Sequence, residues 1–201
     1  MSAGKQLNVQ VQGKGARNVN LSIRKIVMSG ILGAVSILLG VTGLGFIPVP
    51  TPAGHATIMH VPAILGGVLE GPIVGMLSGA IFGIFSFLRA TSPMFTDPLI
   101  AIFPRLFIGV TAYYAYVATK RINPILAYVL AGAVGTATNT ILVLGMASIR
   151  GFFPASVALS IGVLHGVPEV IVAAILVVVL GKGLERVRGA QGDVIETDDD
   201  L

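Results

Sequence analysis

The sequence predicts an all-α integral membrane protein, a six-transmembrane-helix bundle with its N and C termini cytoplasmic. Three observations predict it. Only 11% of the residues are charged, against about 25% in soluble domains, and the mean hydropathy is +0.91. Long apolar segments are divided at prolines, turn signals and charges. The basic residues gather in alternate connections, as the positive-inside rule requires.

Residues 1–21 are polar and basic and lack the apolar core of a cleavable leader, so they read as a cytoplasmic tail. Helix one spans about 24–46 and is ended by "FIPVPTPAG". Helix two is short, about 56–70, and Pro72 opens helix three, 72–90. The loop "RATSPMFTDP" leads into helix four, 98–119. "KRINP" turns the chain into helix five, 124–148, and "RGFFP" into helix six, 155–184. The membrane domain is thus 22–188, and 189–201 is an acidic cytoplasmic tail.

Lys5, Lys14, Arg17, Arg24, Lys25, Lys120, Arg121, Lys182, Arg186 and Arg188 fall on one face, ten of the 13 basic residues. Arg89 and Arg150 fall on the other, and Arg105 lies inside helix four. This distribution makes that face cytoplasmic. It also favours helix two as a span, because five spans would split the basic clusters between the two faces. The alternative is a re-entrant helix two.

In "EGPIVGMLSGAIFGIFSFL" a glycine recurs at every fourth position: Gly71, Gly75, Gly79 and Gly83. That spacing makes one stripe on a helix. Each glycine costs roughly 1 kcal/mol of helix propensity relative to alanine. In lipid the compensation is close backbone approach, because burying leucine against leucine gains little there. Helix three is therefore expected at a crowded place in the bundle. Helix one has a second small-residue pattern, with Gly30 and Ala34 four apart and Gly33 beside them. Either stripe can face a neighbour within the chain or a separate subunit.

Polar residues within the spans are few and mark function. Arg105, Asn139 and His165 all fall roughly 12–15 Å below the outer surface by helical rise. His60, after Thr57, is shallower. Glu169 lies one turn deeper than His165 and shares its face. Together they predict a polar pocket opening outward, beneath the loops that hold Pro50, Pro52 and His55 on one side and Arg89 and Asp97 on the other. Arg105 needs a partner, either Glu169 or a substrate carboxylate.

The sequence excludes several classes. It has no cysteine, hence no disulfide, thiolate metal site or cysteine catalysis. It has no HExxH, Walker loop or GxSxG, so it does not itself hydrolyse ATP. The net charge of +4 reads as helix-end anchoring to the lipid bilayer, not as nucleic-acid binding. No cofactor or metal is called for. The alternatives are an intramembrane metal-dependent enzyme on His60, His165 and Glu169, or an assembly subunit that binds no ligand.

The chain resembles the substrate-binding S components of energy-coupling factor (ECF) vitamin transporters. The resemblance rests on "RKIVMSGILGAVSILLG", "FIPVPTPAGHATIMHVP", "ILGGVLEGPIVGMLSGAIFGIFSFL" and "DPLIAIFPRLFIGV", and it covers about residues 22–188. It implies capture of a vitamin from outside and association with a membrane coupling subunit and two cytoplasmic ATPase subunits. It implies toppling in the membrane and gating by the loop between helices one and two. Where relatives often carry Ala-x-x-x-Ala to meet the coupling subunit, this chain has Gly30-x-x-x-Ala34. The residues that the polar pattern of the spans and outer loops marks as substrate-binding are Thr57, His60, Arg89, Asp97, Arg105, Asn139, His165 and Glu169. Arg105 and Arg89 favour an anion. Pantothenate fits best, with folate or a pyrimidine next.

Overall fold

Proline and small-residue punctuation fixes where the helices begin. The structure, a computed structural model, describes residues 22–48 and 55–198. Tail residues 1–21, Pro50, Pro52 and residues 199–201 lie outside the described residues. The helices are α1 (Ile23–Thr42), α2 (Val61–Glu70), α3 (Pro72–Arg89), α4 (Pro98–Thr119), α5 (Pro124–Ile149) and α6 (Ala155–Asp198). Between α1 and α2 lie two short antiparallel strands, β1 (Phe46–Pro48) and β2 (His55–Thr57), with Phe46 opposite Thr57. A 3₁₀ turn, Pro93–Thr96, precedes α4.

Three expectations need correction. Helix one ends at Thr42, where Gly43 takes the left-handed conformation at φ 79°. The apolar residues after it form a short two-stranded hairpin within an otherwise all-helical fold. Helix two begins at Val61, not near residue 56. Its ten residues rise about 15 Å, half of a ~30 Å hydrocarbon core. Among the described residues five helices are long and apolar enough to cross a membrane, and α2 is not one of them. Helix six continues to Asp198, through most of the segment read as a tail.

Helix α2 is nevertheless the centre of the bundle. Residues Val61 to Val68 are all buried, and α2 touches every other helix. Gly71, at φ 101°, is the single residue between α2 and α3. It folds them into an antiparallel hairpin in which Gly67 meets Gly75. Helix α1 runs beside α3 in the same direction, Gly33 against Ile81 and Gly40 against Phe85. The return path between them is supplied by β2 and α2 together. At the far end, Arg24 of α1 pairs with Glu70 of α2 at 3.2 Å.

The glycine stripe of α3 is an intrachain contact. A Cβ on Gly75 would lie 2.8 Å from the Cα atoms of Gly109 and Gly67. One on Gly83 would lie 2.9 Å from Ile102 Cα. A Cβ on Gly79 would strike the Arg105 carbonyl oxygen, and one on Gly67 the Gly109 carbonyl oxygen. Helices α2, α3 and α4 thus meet backbone to backbone. Gly30 differs: nothing lies within 4 Å of its Cβ position, and Gly30 and Ala34 are both exposed on α1.

Two predictions follow from this packing. Gly67→Ala forces α2 away from α4 and should lower stability by about 1–3 kcal/mol, more than the ~1 kcal/mol regained in helix propensity. The thermal midpoint in detergent should fall, while Gly30→Ala leaves it unchanged or raised. Equal behaviour of the two variants would show that backbone proximity does not decide. The chain's two ends are also distinguishable. A cysteine at Ile122, exposed between α4 and α5, should resist an impermeant thiol reagent in intact cells, and one at Ser92 should react. The reverse pattern would overturn the expected orientation.

Candidate functional site

Proline inside a helix releases a carbonyl, and that release positions the most deeply buried cation. Pro104 has no N–H to give the carbonyl of Ile100, four residues earlier. The Arg105 Nη1 donates to that carbonyl at 2.6 Å. The guanidinium also stacks over Phe95 at 4.8 Å and Phe82 at 5.5 Å. Arg105 is only 3% exposed, and its Nε has no hydrogen-bond partner. Carbonyl and ring faces thus hold a charge that would otherwise be costly to bury.

Arg105 lines a cavity of about 180 Å³ at the hairpin end of the bundle. Helices α3 and α4, with the 3₁₀ turn, supply Arg89, Arg105, Phe82, Phe85 and Phe95 to its wall. The Arg89 Nη1 donates to the Gly40 carbonyl, at the C-terminal end of α1, where the helix dipole favours a cation. The hairpin supplies Phe46 and Thr57. Helices α5 and α6 supply Asn139, Thr140, His165 and Glu169. Asn139 Oδ1 is buried with no hydrogen-bond partner among the described residues, and the Thr140 hydroxyl neighbours the Glu169 carboxylate.

Glu169 is tied to the hairpin. Its Oε1 accepts from the Thr57 backbone N–H at 3.1 Å. His60 Nδ1 lies 3.9 Å from the same oxygen, and His60 Nε2 is hydrogen-bonded to the Thr136 hydroxyl at 2.8 Å. Glu169 thus has donors nearby. Arg105 and Glu169 interact electrostatically but, among the described residues, make no direct ion-pair contact.

Six of the expected residues come together: Thr57, Arg89, Arg105, Asn139, His165 and Glu169. Two do not. His60 is fully buried behind the wall, where it joins α2 to α5. The hairpin takes the place assigned to the start of helix two, so His60 stands at the N-cap of α2 instead of one turn inside it. Asp97 caps α4 by accepting from the Leu99 N–H at 3.0 Å and pairs with Arg150 at 2.6 Å. That engages its carboxylate at the helix entrance, away from the cavity. His55 opens β2.

Sequence reasoning missed the aromatic wall. Phe82, Phe85 and Arg89 share a face of α3 at helical spacing, a signal that was present beside the glycines. Phe95 lies in the 3₁₀ turn and carried no such signal. A larger groove, about 720 Å³, runs between α5 and α6, but only Thr140 and Ser148 in its lining are polar. It lacks any charged group, as suits a lipid-facing surface. Among the described residues no group of three or more His, Cys, Asp or Glu is placed to hold a metal ion. His60, His165 and Glu169 do not form one.

Residues 24–181 match the family model described as ECF transporter, substrate-specific component. The pantothenic acid transporter PanT of Lactococcus lactis subsp. cremoris (strain MG1363) is 32% identical over 161 residues. That alignment covers 66% of this chain and 79% of the relative.

Proposed function

The chain belongs to the substrate-specific component family of ECF transporters, and from that premise we propose that it captures a water-soluble anionic vitamin with high affinity. Members of this family are transporter subunits, not enzymes, and the five long apolar helices fit a multi-pass membrane protein. The observation that carries the anionic class is the buried Arg105 guanidinium in the cavity wall, with Arg89 beside it. Arginine binds carboxylates through paired donors. Pantothenate is the substrate that fits best, supported by the likeness to PanT. Folate or a pyrimidine comes next.

In this reading both termini are cytoplasmic, the protein resides in a prokaryotic plasma membrane, and the cavity opens outward. The loop with Pro50, Pro52 and His55 gates it. Thr57, Asn139, His165 and Glu169 complete the polar wall around the substrate. A membrane coupling subunit docks on α1 at Gly30 and Ala34, and two cytoplasmic ATPase subunits supply the energy. The openness of that face supports docking, since no described residue lies within 4 Å of a Cβ placed on Gly30.

Two experiments test the reading. Arg105→Gln should weaken pantothenate binding by roughly 2–5 kcal/mol, the range for truncating one member of a buried charge pair. The loss should largely vanish for the analogue whose carboxylate is a neutral amide. Isothermal titration of both ligands decides, and equal losses would mean that Arg105 only supports the fold. Ala34→Leu should abolish uptake in cells while the isolated protein still binds pantothenate, because small-residue contacts between helices tolerate no added bulk. Loss of both together would overturn the docking role.

A further inference from the structure

The cavity wall has two chemically different halves. Helices α3 and α4 contribute both arginines and the phenylalanine faces, while α5 and α6 contribute Asn139, Thr140, His165 and Glu169. The unpartnered buried atoms follow the same division. On the basic half it is Arg105 Nε, a donor. On the opposite half it is Asn139 Oδ1, an acceptor, and the Thr140 hydroxyl next to it has the Glu169 carboxylate as a neighbour. Buried polar atoms are normally paired, so the two unpartnered atoms, with the hydroxyl beside them, describe what a fitting ligand brings. The donor asks for an anion. The amide and the hydroxyl, adjacent in sequence on α5, ask for a group able both to donate and to accept.

A hydroxyl is such a group. It gives its proton to the Asn139 carbonyl oxygen and accepts from the Thr140 hydroxyl. A second carboxylate would meet an acceptor oxygen and stand near Glu169. A methyl group would leave Asn139 Oδ1 buried and unpaired. A site built to hydrogen-bond a substrate hydroxyl rejects analogues that lack it.

We infer that Asn139 and Thr140 are specificity-determining residues that select a hydroxyl-bearing anion over an anion of the same shape without the hydroxyl. This rests on the reading of the cavity as the capture site for an anionic vitamin. Arg105 recognises the charge, and α5 recognises what lies at the other end of the molecule. Simple aliphatic carboxylates are thereby excluded even though they satisfy the arginine.

The test is isothermal titration of the purified protein with pantothenate and with its dideoxy analogue, in which both hydroxyls are replaced by hydrogen. The wild-type protein should bind the analogue about 10- to 100-fold more weakly, the ratio equivalent to the penalty for leaving buried polar atoms unpaired. Asn139→Leu should narrow that gap to a few-fold by weakening pantothenate alone. Thr140→Val, which keeps the side-chain shape, should narrow it too and guards against a fold defect in the first variant. Equal binding of both ligands by the wild type would overturn the inference and leave the anionic reading standing. A gap that persists unchanged in both variants would also overturn it. If the wild type binds neither ligand, the capture reading itself falls, and the inference with it.

Discussion

The close approach of α3 to α4 at Arg105 is the constraint on which the rest of the structure depends. Gly79 faces the Arg105 carbonyl and Gly83 lies against Ile102 and Ala101. No side chain fits between these backbones, so α3 and α4 are fixed in register. The same contact continues through Gly75 and Gly109 to Gly67 of α2. Three helices are thereby held at one depth, and the Arg105 side chain must leave the contact on the cavity side. There it meets Phe82 of α3 and Phe95. The packing that replaces hydrophobic burial in lipid thus also aims the cation.

The other wall is held by different means. Its ties are polar: Glu169 to the Thr57 backbone, and His60 to Thr136. They join the hairpin and the start of α2 to α6 and α5. Each tie removes a polar group from the apolar interior by pairing it. The cavity therefore lies between a side fixed by backbone contact and a side fixed by hydrogen bonds. The second kind of wall includes the chain segment that can most readily be displaced, since the two-stranded hairpin has only a short ladder to hold it.

Much of this was legible in the sequence, for identifiable reasons. Helices α3, α4 and α5 start where expected because each opens with a proline, and Asp97 and Asn123 cap α4 and α5. The crowding at the glycine stripe follows from spacing alone. The hairpin was not legible, because "GFIP" continues the apolar run of α1 and hydropathy does not separate a strand from another helical turn. That error placed His60 one turn inside helix two instead of at its N-cap. The end of α6 was misread because glycine and charges at 181–188 look like a stop, although Arg, Glu and Leu are good helix formers. Counting residues gives depth along a helix but not direction around the bundle. Hence Arg105, Asn139, His165 and Glu169 were gathered by depth, while which partner Arg105 contacts, which depends on direction, was left between two alternatives.

The two buried charges of the cavity illustrate why direction matters. Each follows a proline, Pro104 before Arg105 and Pro168 before Glu169. Both prolines deprive a carbonyl four residues earlier of its helical N–H. An arginine can answer that carbonyl itself, and Arg105 does so at Ile100. A carboxylate cannot, because it has only acceptors. Glu169 must find a donor on another segment, and it takes the Thr57 N–H. The cation therefore has a partner within its own helix and keeps most of its five N–H groups for others. The anion takes its backbone donor by reaching across to the hairpin. The same local sequence device leaves one charge anchored and available, and makes the other a tether.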